Sequence, residues 1–305
     1  MTRQGAWLRL VPLGLAVALC LPILAGAAAT PSRTTTQEAG VQLGRRLFYD
    51  ADLSADGSMS CATCHAQRHA FADGNRTHPG VTDEPGVRNV PSLANVGAFS
   101  TLTWIDQHVT RLDRQFFIPV MGHHPVEMGM PDRATLTNRI ARNACYRVLF
   151  ARAFPRTGGR IDADTIAAAV ALFERTLVSR GSAWDQTRQG HGALAAEAAH
   201  GQALFFGRAH CAACHTGMLF TDMRFHTIDP SHPARIRTPS LRNVAVTAPY
   251  LHDGSAPTLR QAIAAHGQTL PDDDEAALES FLRALTDEHF LHDPALALPP
   301  EACPA

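Results

Sequence analysis

Cys61-Ala62-Thr63-Cys64-His65 decides the reading of this chain, because the pattern returns as Cys211-Ala212-Ala213-Cys214-His215. Two cysteines separated by two residues can add across the two vinyl groups of one haem. The adjacent histidine then reaches the iron from one side. The motif therefore reads as c-type haem attachment, with Cys61, Cys64, Cys211 and Cys214 as the covalent anchors and His65 and His215 as proximal ligands. A zinc site would not need a histidine fixed at this spot twice. A redox-active CxxC pair belongs in a βαβ setting that the flanking sequence lacks. Two c-type haems are expected.

Working outward, the flanks repeat as well. Gly44-Arg45-Arg46-Leu47-Phe48-Tyr49 precedes the first motif and Gly201-Gln202-Ala203-Leu204-Phe205-Phe206 the second. Pro91-Ser92-Leu93-Ala94-Asn95-Val96 follows 26 residues after His65, and Pro239-Ser240-Leu241-Arg242-Asn243-Val244 follows 24 residues after His215. Three blocks in one order at similar spacing point to a duplicated unit. The expected organisation is two related domains, residues 30–190 and 191–305.

Helical signals dominate. Asp162 to Ser179 opens on acidic capping residues and then places Ile166, Val170, Phe173 and Leu177 on one face. Arg133 to Phe150, Ala193 to Phe206, Thr258 to His266 and Asp274 to Leu285 read the same way, and strand-like alternation is nearly absent. Gly- and Pro-rich stretches from Asp73 to Gly86 and from Asp229 to Pro239 read as loops. The class is all-α, with irregular loops around buried cofactors.

The N-terminus reads as a secretory signal over residues 1–29. Met1 to Arg9 carries two arginines and no acid, Leu10 to Leu24 is mostly apolar, and Ala25-Gly26-Ala27-Ala28-Ala29 offers small residues for cleavage. The apolar run is short for a membrane span of roughly 20 residues. The expectation is an exported, periplasmic protein free of the membrane once the signal is removed. With 27 basic against 28 acidic residues, a strongly basic nucleic-acid binder is excluded. Of seven cysteines, four lie in the motifs and Cys20 in the signal, which leaves Cys145 and Cys303 as a possible pair in an oxidising compartment.

The strings LGRRLFYDADLSADGSMSCATCH, FADG, RNVPSL, PVEMGM, RTPSLRNVAVTAPYLHDGS and ALTDEHFLHDP resemble the bacterial di-haem cytochrome c peroxidase and MauG superfamily. The LTW segment and the long interval to PVEMGM look closer still to MbnH-like di-haem enzymes. The resemblance implies two cytochrome c-like domains, each holding one haem, and the use of hydrogen peroxide. It implies electrons from a small cytochrome c or cupredoxin, or, in the MauG-like and MbnH-like case, oxidation of a partner protein. The bland rival is a plain electron-transfer cytochrome with both irons closed.

The same resemblance assigns roles. Glu127 matches the acid that moves a proton during peroxide cleavage, and Gln115 and Pro119 match the lining of that pocket. Trp104, 39 residues after His65, matches the tryptophan between the haems. The displaceable histidine of ordinary peroxidases falls here on Val81; His69 and His78 lie nearby, and His78 is expected to be a solvated loop residue. The first haem is therefore expected to be five-coordinate. His266 falls at the position of the second haem's sixth ligand, with Met218, Met223, His226 and His252 as weaker rivals. Asn89 and the carbonyls of Thr247 and Pro249 match the family's calcium ligands. Two departures bear on the substrate. Ala209 stands where MauG has its surface tryptophan, and the loop after Phe225-His226 is short.

Overall fold

A computed structural model describes Met1 and residues 33–227, 234–267 and 269–300. The signal segment and Cys303 lie outside the described residues, as does the first part, through residue 233, of the stretch from Asp229 to Pro239 read as loop. Cys145 is disulfide-bonded.

Helices carry the fold, in the order α1 Arg33–Phe48, α2 Cys61–Cys64, α3 Leu112–Gln115, α4 Phe117–Met121, α5 Arg133–Arg142, α6 Ala144–Ala153, α7 Ala163–Glu174, α8 Ala183–Arg188, α9 Ala196–Phe206, α10 Leu259–Ala264, α11 Asp272–Arg283 and α12 Glu288–His292. Among the described residues the only sheet is a two-residue antiparallel pair, β1 Phe225–His226 with β2 Ile236–Arg237. The second of these lies in a stretch expected to be loop.

The sequence repeat is a packing repeat. α1 crosses α7 and α9 crosses α11, each through the glycine of its block. A Cβ on Gly44 would stand 1.8 Å from the Ala169 carbonyl oxygen, and one on Gly201 would stand 1.8 Å from that of Ala277. Only glycine permits backbones to approach so closely. Behind each crossing lies an aromatic cluster. Phe48, Phe71 and Phe173 meet edge-on in the first core, and Phe205, Phe220 and Phe281 in the second.

The third block is also bonded alike in both halves. Ser92 Oγ donates to the Ala70 carbonyl at 2.6 Å and Ser240 Oγ to that of Leu219 at 2.7 Å. Asn95 and Asn243 both take the left-handed conformation, φ 63° and 61°. Their side chains meet at Ser179: Asn95 Nδ2 donates to its carbonyl at 3.2 Å and Asn243 Nδ2 to its hydroxyl at 3.0 Å. Asp287, which caps α12, accepts from the Ser179 hydroxyl at 3.1 Å and from the Gly181 N–H at 2.7 Å. A buried polar knot thus ties the two repeats together.

Two boundaries differ from expectation. The helix read over Arg133 to Phe150 breaks at Asn143, which ends α5 and caps α6 by accepting from the Cys145 N–H at 2.9 Å. The helix read to His266 stops at Ala264, so His266 lies in the turn beyond α10.

Candidate di-haem site

Each CxxCH motif opens onto a cavity. The first, about 260 Å³, is lined by Cys61, Cys64 and His65 together with Gln115, Pro119 and Glu127. The second, about 320 Å³, is lined by Cys211, Cys214, His215 and His266. The proximal histidines are held in the same way. His65 Nδ1 bonds the Phe71 carbonyl at 2.7 Å and His215 Nδ1 that of Phe220 at 3.1 Å. A ring whose Nδ1–H donates to a carbonyl presents Nε2 as the metal-binding atom. Burial pushes the Cys64 thiol up to about 12 and raises Cys61, Cys211 and Cys214 as well. Such thiols are not the low-pKa thiolates of redox cysteines. The donor set, the apolar walls and the paired thiols fit a covalently bound haem in each cavity.

The second cavity is capped from both sides. His266 Nδ1 bonds the Ala262 carbonyl at 2.7 Å, and its ring centre lies 6.3 Å from that of His215. A metal held about 2.0–2.1 Å from each of two facing imidazole nitrogens separates the ring centres by roughly 6 to 6.5 Å. Of the rivals, Met218 and Met223 do not line this cavity. His226 does, but its Nε2 bonds Asp222 at 2.7 Å. His252 also does, and its Nδ1 contacts Arg88 at 3.2 Å.

The first cavity carries acids instead. Burial pushes the Glu127 carboxyl above the usual carboxylate range, with nearby His78 opposing the shift. His78 is not the solvated histidine expected from its loop. It lines the cavity, and its Nδ1 bonds Asp73 Oδ2 at 2.6 Å. The Pro/Gly-rich loop folds inward because Gly80 packs directly on the Val126 carbonyl and Val81 N–H donates to that of Glu127 at 2.8 Å. His69 turns elsewhere, to the Val246 carbonyl at 3.0 Å.

Between the cavities stands Trp104. It lines both, and its Nε1–H donates to the Asn89 carbonyl at 2.8 Å. The Asn89 amide in turn donates to the carbonyls of Asn75 and Arg76 at 3.3 and 3.2 Å. Asn89, Thr247 and Pro249 line one wall of the second cavity.

Sequence reasoning missed three residues. Glu174 lines the first cavity and is buried, which lifts its carboxyl to about 8. Its position was a signal: it lies four residues after Val170 and three before Leu177, on the apolar face. Arg242 is buried and paired with Asp185 at 2.5 Å, over the ring of Trp184. Arg237 is buried beside Trp104 in a strand too short to show periodicity.

Two CxxCH cavities joined through a buried tryptophan in a helical chain define a di-haem c-type redox protein. The sequence model described as di-haem cytochrome c peroxidase matches residues 38–193. A MauG protein of Methylophilus methylotrophus is 35% identical over 72% of this chain and 70% of its own length. A cytochrome c peroxidase of Escherichia coli K12 is 30% identical over 84% of this chain and 60% of its own length. The crystal structure of a MauG-like protein associated with microbial copper homeostasis superposes with a TM-score of 0.82 at 32% identity, covering 93% of this chain and 99% of that one. The chain belongs to the di-haem cytochrome c peroxidase family, a family of peroxidases with two c-type haems.

Proposed function

We propose that the two cavities divide the work of a periplasmic di-haem peroxidase, with the first taking hydrogen peroxide and the second exchanging electrons. The observation that carries this reading is Trp104, which lines both cavities at once. Residues 30–190 would form the peroxidatic domain and 191–305 the electron-transfer domain. The haem in the first cavity supplies an iron at which peroxide is reduced to water by two electrons and two protons.

The chain's own groups do the rest. Glu127, whose carboxyl burial raises above the usual carboxylate range, moves a proton from the inner to the outer peroxide oxygen. Gln115 and Pro119 line the first cavity and would shape the space that peroxide enters. His215 and His266 would together hold the iron of the second haem, which would leave peroxide no site there. Trp104, fixed by its bond to Asn89, carries the electron across. Asn89, Thr247 and Pro249 would hold a calcium ion at the same wall, which would stiffen the tryptophan's mount.

Electrons come from a small cytochrome c or cupredoxin. The likeness to a MauG-like protein of copper homeostasis favours a second reading, in which a partner protein is oxidised instead. Ala209 is buried, so a partner's electron would not enter through that position.

The division of labour is tested by adding one equivalent of peroxide to the ferric protein. In the wild type the spectra of both haems should change. In Trp104→Phe the first should respond and the second lag by orders of magnitude. Equal responses in both proteins would overturn the relay.

A further inference from the structure

Arg237 is a buried cation with no anion beside it among the described residues. It is 2% exposed, and its guanidinium lies over the rings of Phe99 and Trp104, 5.5 and 5.9 Å from their centres. Nε donates to the Thr103 carbonyl at 3.0 Å. Among the described residues Nη1 finds only the Thr238 carbonyl at 3.5 Å and the Met223 sulfur at 3.8 Å. Burial pulls it down to about 10, with no acid among the described residues opposing the shift. Arg242 shows the contrast, since it is equally buried but paired with Asp185. A buried charge is costly unless an opposite charge is brought to it.

The anion is supplied by what the cavity holds. Arg237, Phe99 and Trp104 all line the second cavity, and a haem brings two carboxylates with it. We propose that Arg237 binds a propionate carboxylate of the second haem and sets that haem's potential. A planar guanidinium suits a carboxylate, and stacking on Phe99 and Trp104 fixes the orientation of its free donors. The pair also lies against the bridging tryptophan, so the charge that the relay meets is close to neutral. This inference rests on the di-haem reading given above.

The sign of its effect follows from charge. A cation near the carboxylate disfavours the extra positive charge of ferric iron. Arg237→Gln should therefore lower the midpoint potential of the low-spin haem. It should also make that potential depend on pH, because a propionate without its partner titrates on reduction. Arg237→Lys keeps the charge and should stay near the wild type. Spectroelectrochemical titration reads both haems separately, and the first should not move. An unchanged second potential in Arg237→Gln, or equal lowering in the Lys and Gln variants, would overturn the assignment.

Where Arg237→Gln fails to retain two haems, resonance Raman of the wild type and Arg237→Lys replaces it. The propionate bending band tracks hydrogen bonding to the carboxylate. It should shift at the second haem, and identical bands overturn the proposal. Haem content is measured first. A chain with fewer than two haems would sink the di-haem reading itself. A two-haem chain inert to peroxide would sink the peroxidase reading and leave this test valid.

Discussion

Glu127 shows how one side chain acquires its chemistry from its surroundings. Its pKa is raised by burial, with His78 opposing the shift, so it holds a proton more readily than an exposed glutamate does. Glu127→Gln should slow peroxide turnover by about 10²–10⁴-fold while both haems remain bound. A rate within about threefold of wild type would reduce Glu127 to scaffolding, because general acid–base catalysis is worth far more. The acid limb of the pH–rate profile should lie above the ordinary glutamate range and vanish in the variant. Glu174 gives a prediction about stability. Burial lifts its folded pKa to about 8, well above the ordinary glutamate value of 4.5. The native state therefore binds the extra proton, and stability falls as pH rises from the unfolded to the folded value. Glu174→Gln should melt with the wild type at pH 4, where both states are protonated, and above it at pH 8. Equal melting at both pH values would show that the acid finds a counter-charge in the loaded protein. His266→Ala should convert the second haem from low spin to high spin, and an unchanged low-spin spectrum would remove it as the ligand.

At the scale of elements, the glycine crossings matter most. Gly201→Ala would force a methyl group into the Ala277 carbonyl, and α9 must then move off α11. Overpacking of this kind costs about 1–3 kcal/mol, so the melting temperature should fall and the second haem should be lost before the first. No loss of stability would mean that the helices part freely. The sequence made much of this level legible. The apolar stripe and acidic cap of α7 were visible in the sequence; the reciprocal bonds between Asp162 and Thr165 complete that cap in the structure. The break at Asn143 was not visible, since an asparagine inside an apolar pattern looks tolerable until its side chain is seen capping the next helix. His78 was misjudged for a related reason. Loop composition says nothing about a loop that folds inward on Gly80 and delivers its histidine to Asp73. Arg237 left no trace, because its significance is that no acid among the described residues stands beside it in three dimensions.

Across residues 33–300 one packing plan recurs twice, and Trp104 lines the cavities of both copies. The duplicated blocks announced the copies, and the CxxCH motifs announced the cofactors, because covalent chemistry requires a fixed local spacing. The joining was less legible. The polar knot of Asn95, Ser179, Asn243 and Asp287 draws on four separate segments. Asp287→Ala would leave its buried donors unpaired and uncap α12, at a cost of about 1–3 kcal/mol. Unfolding should then lose its cooperativity, and a single unchanged transition by calorimetry would contradict the knot's role.

The central claim is an asymmetry, with one iron open to oxidant and the other held between two histidines. Electron paramagnetic resonance of the ferric protein tests it most directly. The account predicts one high-spin and one low-spin signal in equal amounts, with the high-spin signal lost on one equivalent of peroxide. Two low-spin signals indifferent to peroxide would contradict it.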